Sequence, residues 1–214
     1  MKTPDARMFL GDRSTTANLL SQLLADVQRD ELSAYWHPFG FFRVELGEDT
    51  DQMRHAIHVW PHHSNEGQGD NFSIHRHPWR LESFIISGSL TNTVYNVEMG
   101  STTGRRVYLS EVKVQHGSSH LTETGEFGKV LDVTPTVQDA GTFYSLTEFD
   151  FHSTTVPPDS TTITLIRRSH PVAPHGVILA NDGPEKVDFE RRAVEPAVLM
   201  AHIEMIREKL RTLI

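Results

Sequence analysis

From Phe41 onward the chain is written in short strand-length runs separated by turn residues, a pattern that excludes a helical bundle and demands sheets. The runs are Phe41 to Leu46, His55 to Trp60, Phe72 to His77, Glu82 to Ser87, Leu90 to Val97, Arg106 to Val114, Lys129 to Val133, Thr142 to His152 and Thr161 to Arg168. Turn-forming stretches such as Gly100 to Gly104 and Pro157 to Ser160 lie between them. Eight or nine strands in one domain predict a double-sheet jelly roll or a small barrel.

Helical spacing occurs only at the two ends. Leu19, Leu20, Leu23, Leu24 and Val27 predict a helix from Thr15 to about Tyr35, with a Ser/Thr start suited to capping. Glu195-Pro196 opens a second helix carrying Leu199, Ile203, Ile206, Leu210 and Leu213 as an apolar stripe, suited to core packing or to a homodimer seam. A length of 214 residues suffices for one domain with these additions, residues 1–214.

Charge and composition narrow the partners. The net charge is −8 with a pI near 5.9, and the lysines and arginines are scattered, which argues against nucleic acid. No apolar stretch reaches membrane-span length, and Met1 to Ser14 holds no apolar signal core, so a cytoplasmic location is expected. Cysteine is absent, which removes disulfides, thiolate ligands and a thiol nucleophile. Any metal must therefore sit on histidine and carboxylate, a donor set that suits Fe(II), Mn(II), Ni(II) or Zn(II).

Such a set is visible at His75-Arg76-His77, just before Pro78. Side chains two apart on a strand share a face, so the two imidazoles can converge on one ion. Gly69 stands six positions before His75, Glu82 five positions after His77, and an apolar strand runs on into Gly88. This arrangement resembles the first motif of the cupin superfamily, which implies a cupin-type jelly roll, or double-stranded β-helix, with a bound metal. The two halves of the motif place its glutamate differently: counting from His77 reaches Glu82, whereas counting back from Gly88 reaches Leu81. Glu82 either completes the ligand set or stands just outside it, where it would be a candidate proton carrier.

A third ligand is expected on a later strand, and His152 is the candidate. If Thr142 to His152 is one strand, Tyr144, Leu146, Glu148, Asp150 and His152 share one face, and Phe143, Phe149 and Phe151 share the other. Six other histidines, His55, His58, His62, His63, His170 and His175, read as surface or hydrogen-bonding residues. Gln115 to Phe127, polar and glycine-containing, reads as a mobile loop or lid.

Within the cupins the chain is similar to the thiol dioxygenases of the cysteine dioxygenase type. The similarity runs over Phe39 to Val97 and resumes at His152 to Pro171, well under half the chain. It is carried by the arginine strand Phe41-Phe42-Arg43-Val44, the tryptophan-ended strand His55 to Trp60, the Gly-x5-His-x-His run and Ser89-Leu90-Thr91. The resemblance implies Fe(II) on three histidines, a non-ligand at Glu82, and a substrate carboxylate clamped by Arg43. A Ser-x-His-x-Tyr relay that such enzymes carry is replaced here by Thr164-Leu165-Ile166-Arg167-Arg168. Arg168, in the relay's last place, is suited to an anionic group.

The expected function is an Fe(II)-dependent dioxygenase acting with O2 on a small anionic molecule. Arg43 and Arg168 are expected to place the substrate, and Tyr144 to assist in placing it or in handling protons. A non-redox metal lyase or isomerase and a non-catalytic binding cupin are the alternatives.

Overall fold

The computed structural model describes residues 33–48, 52–62, 73–101, 106–115, 118–181 and 188–211. In chain order their strands begin with β1 (Ala34–Trp36), β2 (Phe42–Glu48), β3 (Arg54–Trp60), β4 (Ile74–Arg76), β5 (Leu81–Ser87) and β6 (Ser89–Met99). There follow β7 (Val107–Gln115), β8 (Ser118–Asp139), β9 (Phe143–Leu146), β10 (Phe151–Thr155), β11 (Thr162–Arg168), β12 (Gly176–Ala180) and β13 (Asp188–Glu190). Among the described residues a helix, α1 (Pro196–Arg211), follows the last strand.

These strands form two sheets. Sheet A runs β1-β2-β3-β11-β5-β9, and sheet B runs β13-β8-β6-β10-β4-β12-β7, with β8 also paired to β7. Alternation along each strand gives sheet A two unlike faces. Phe42, Val44, Leu46, Ile57, Val59, Phe84, Ile86, Ile163 and Leu165 form one buried cluster with Leu199, Ile203 and Ile206 of α1. This is the helix-covered, outer face. The side chains of opposite parity, including Arg43, His58, Ser83 and Thr164, are buried or half-buried on the inner face.

The C-terminal helix starts where Glu195-Pro196 sets it, with Leu199 N–H donating to the Glu195 carbonyl at 3.0 Å. The part of its stripe formed by Leu199, Ile203 and Ile206 is core packing against sheet A. The N-terminal helix expected from Thr15 lies outside the described residues except at its end, where Ala34–Trp36 is strand β1, paired to β2.

Two further expectations are corrected. The stretch Gln115 to Phe127 is not a loop: its described residues from Ser118 onward form the first half of the 22-residue β8, paired antiparallel to β7. Its polar residues mask it as a strand because few of them are buried, and the hydrogen-bond ladder supplies what apolar burial does not. Thr142 to His152 is not one strand either. β9 belongs to sheet A and β10 to sheet B, and a turn at Thr147 to Asp150 separates them. There the Asp150 carboxylate accepts hydrogen bonds from the Thr147 N–H at 2.7 Å and its hydroxyl at 2.9 Å. Phe149, placed by that one-strand reading on a face with Phe143 and Phe151, sits at the turn and is 73% exposed.

The step from β5 to β6 depends on Gly88, whose φ is +77°. A Cβ there would lie 2.6 Å from Thr162 Oγ1 and 2.8 Å from the Thr161 carbonyl oxygen. Gly88→Ala is therefore expected to cost about 2 kcal/mol or more, from left-handed backbone strain and the clash together. Urea denaturation of the variant checks this; a loss within about 0.5 kcal/mol would contradict it.

Candidate metal centre

His75 is the central residue of β4, a three-residue strand that ends just before His77 and Pro78. β4 lies between β10 and β12, and His75 is the direct cross-strand partner of His152 on β10. The two imidazoles are 4.3 Å apart between ring centres, and His77 lies 4.8 Å from His75 and 5.1 Å from His152. One ring nitrogen from each of the three lies within 4.8 Å of the other two. The chain thus holds a three-histidine site capable of binding a metal ion.

Backbone contacts orient two of the rings. His75 Nδ1 is 2.9 Å from the Ser73 carbonyl and His152 Nδ1 is 3.3 Å from the Asp150 carbonyl. A carbonyl only accepts, so each Nδ1 carries the proton and each Nε2 presents a lone pair, the arrangement usual in imidazoles that bind metals. His77 stacks on Trp79 at 5.3 Å with the planes 8° apart.

The three rings are held neutral. Enclosure lowers His75 to about 3, assisted by His152, and lowers His152 to about 4. His77 is also pushed well down, first by burial and then by His75 and His152. Neutral imidazole is the form that binds metal, so the site is ready at neutral pH.

Glu82 lies elsewhere. It shares its β5 face with Phe84 and Ile86, the helix-covered side of sheet A. There its carboxylate meets Arg167 and Arg80, each at 3.3 Å. It is not part of the three-histidine cluster. Leu81, the position reached by counting back from Gly88, packs with Ile166, Leu146, Trp79 and Tyr144.

The other expected residues are spread over the inner face of sheet A. Arg43 is held by Glu45, Nε to Oε1 at 2.8 Å and Nη2 to Oε2 at 3.1 Å, and Tyr35 donates to the same carboxylate at 3.1 Å. Arg168 lies 4.3 Å over the Trp79 ring, so Trp79 is contacted by both His77 and Arg168. Burial and nearby Arg43 lower the Arg168 guanidinium to about 10. Tyr144 is the partner of Ser83 at the β9 edge, and burial raises its hydroxyl, which stays protonated at neutral pH.

Two histidines not expected to matter stand beside the triad. His37 stacks on Phe41 at 4.4 Å, and His58 stacks on the same ring at 4.4 Å. Phe39 in turn contacts both His37 at 4.9 Å and His75 at 4.7 Å. Burial holds both His37 and His58 well below the ordinary histidine value. The available signal was parity: Ile57 and Val59 mark one face of β3, which leaves His58 and Trp60 on the other. His55, read as a surface or hydrogen-bonding residue, is buried, and its parity with Ile57 and Val59 puts it on the helix side.

Comparison with models of known protein families gives no match, and comparison with curated proteins gives none either. Among the described residues no helix is long and apolar enough to cross a membrane.

Five lowered histidines make stability depend on pH in the metal-free protein. Below about 6.5 the unfolded chain takes up protons at these positions, and the native state does not until far lower pH. Stability is therefore expected to fall steadily from about pH 6.5 to pH 4 and to level off above 7. Melting temperatures that do not change between pH 7.5 and 5 would contradict this. For Glu82→Gln, loss of the carboxylate beside buried Arg167 is expected to cost about 3 kcal/mol while leaving metal content unchanged. Denaturation and elemental analysis of the same sample check both.

Proposed function

We propose that this chain is a single-domain cupin-type protein and a non-haem Fe(II)-dependent dioxygenase acting on a small anionic organic molecule, with His75, His77 and His152 as the metal ligands. The observation that carries the reading is the convergence of three neutral imidazoles, two with Nδ1 tied to backbone carbonyls. The donor set fits Fe(II), and equally admits Mn(II), Ni(II) or Zn(II) on chemistry alone. When bound, Fe(II) supplies the electron exchange with O2 that no side chain of this chain provides.

The chain's own residues bind and orient the substrate. Arg168, fixed over Trp79 beside His77, is the better placed to receive an anionic group bidentately. Arg43 already has its fork on Glu45, so it contributes positive charge to the inner face more than a free clamp. Tyr144, kept protonated by burial, is a hydrogen-bond donor towards the same region. A lyase or isomerase would need a proton carrier beside the triad; Glu82, on the opposite face, is poorly placed for that, which supports the oxygenase reading.

His75→Ala and His77→Ala are each expected to lose most of the roughly one metal ion per chain that elemental analysis should find in the wild type. The iron-loaded protein is expected to consume oxygen with at least one member of a panel of small thiols, amino acids and carboxylates. Arg168→Gln should then raise KM about tenfold or more, as expected for the loss of a charge-assisted hydrogen-bond pair. Metal-dependent elimination or isomerisation without oxygen uptake would overturn the oxygenase in favour of a lyase or isomerase. Metal retained in both histidine variants would remove the basis of either.

A further inference from the structure

A polar row crosses the inner face of sheet A, and the metal site does not use it. Tyr35, Arg43, His58 and Thr164 are successive cross-strand partners on β1, β2, β3 and β11. Glu45 engages the first two, accepting hydrogen bonds from the Tyr35 hydroxyl and Arg43 Nη2 and ion-pairing with Arg43 Nε, which makes no hydrogen bond of its own among the described residues. The other two are left over: His58 Nε2 and Thr164 Oγ1 are buried and meet no hydrogen-bond partner among the described residues. An unmatched buried polar atom costs about 1–3 kcal/mol, so two on neighbouring strands of one face call for an explanation.

Their setting is that of a binding site. The His58 ring is fixed by Phe41, stacked at 4.4 Å, and by Trp60, edge-on at 5.8 Å. From Phe41 the aromatic contacts run through His37 and Phe39 to His75 in the triad. Arg43 and Arg168 are the charged groups felt at His58, and both are cations. The nearest carboxylate on the row, Glu45, is committed to Arg43 and Tyr35. An ammonium placed there would meet two guanidiniums and, among the described residues of the row, no uncommitted carboxylate, whereas an uncharged donor-acceptor group matches a neutral imidazole and a hydroxyl.

We propose that His58 and Thr164 together receive an uncharged hydrogen-bonding substituent, of the hydroxyl kind, on the small anion held by Arg168. The pair thereby selects hydroxylated anions over bare carboxylates and over zwitterionic amino acids. This rests on the proposed anion site beside the triad and adds the substrate's second contact. A pocket that hydrogen-bonds a hydroxyl discriminates against the analogue lacking it, because its own polar atoms are then left unpaired.

The test uses purified protein supplemented with one equivalent of Zn(II), titrated by NMR with acetate, glycolate and glycine, which differ only in carrying hydrogen, hydroxyl or ammonium. Glycolate is expected to bind about threefold or more tighter than acetate, the worth of one modest hydrogen bond, and glycine more weakly than acetate. His58→Phe keeps the ring stack and removes the polar atom. It should erase the glycolate advantage and leave acetate affinity within about twofold, while His58→Gln should retain part of the advantage. Equal binding of acetate and glycolate by the wild type, a glycolate advantage that survives in His58→Phe, or glycine binding tighter than acetate overturns the proposal. Failure of all three to saturate the wild type, or acetate binding unaffected by Arg168→Gln, overturns the anion site itself and this inference with it.

Discussion

The pairing of β4 with β10 is the constraint on which the site depends. Antiparallel partners directly opposite each other bring their side chains to about 5 Å on one face, and here the partners are His75 and His152. Two residues of one local run and one residue more than seventy positions later become a cluster through that single register. A one-residue slip would turn His152 to the other side of sheet B and put Phe151 or Ser153 in its place. The Thr147 to Asp150 turn precedes this register: it delivers the chain from sheet A to sheet B, and its last carbonyl orients the His152 ring.

Much of the architecture was legible in the sequence, because alternating runs and their turns report burial on one face. β2, β3, β5, β6, β7 and β11 lie close to the expected runs. The first half of β8 was not legible, since a strand held chiefly by its ladder leaves no apolar trace. His152 was reached by a parity argument over a strand that does not exist, and its position came instead from strand pairing, which spacing along the chain does not encode. Glu82 shows the same limit: the local motif offered two registers, and nothing in its spacing shows that Glu82 faces Arg167 on the side of Phe84 and Ile86. His58 was missed although its strand was legible, because it was grouped with the neighbouring histidines beside Pro61 and its place on the face opposite Ile57 and Val59 was not used.

The electrostatics of the interior contrast with those of the whole chain. A protein of net charge −8 gathers Arg43 and Arg168 near the Glu45 carboxylate on the inner face of sheet A. The enclosed histidines are neutral, so they do nothing to offset this positive excess. Low local dielectric strengthens the field of those guanidiniums, opposite in sign to the charge of the molecule as a whole. Trp79 joins the two parts physically, with His77 stacked on its ring and Arg168 packed over it.

The most direct measurement is X-ray absorption at the iron edge of the Fe(II)-loaded protein, which counts the imidazoles bound to the metal. The expected result is three histidine ligands from the protein with no protein carboxylate, the remaining positions filled by solvent. A spectrum requiring two or fewer imidazoles, or a carboxylate from the protein in place of one, would contradict the three-histidine centre.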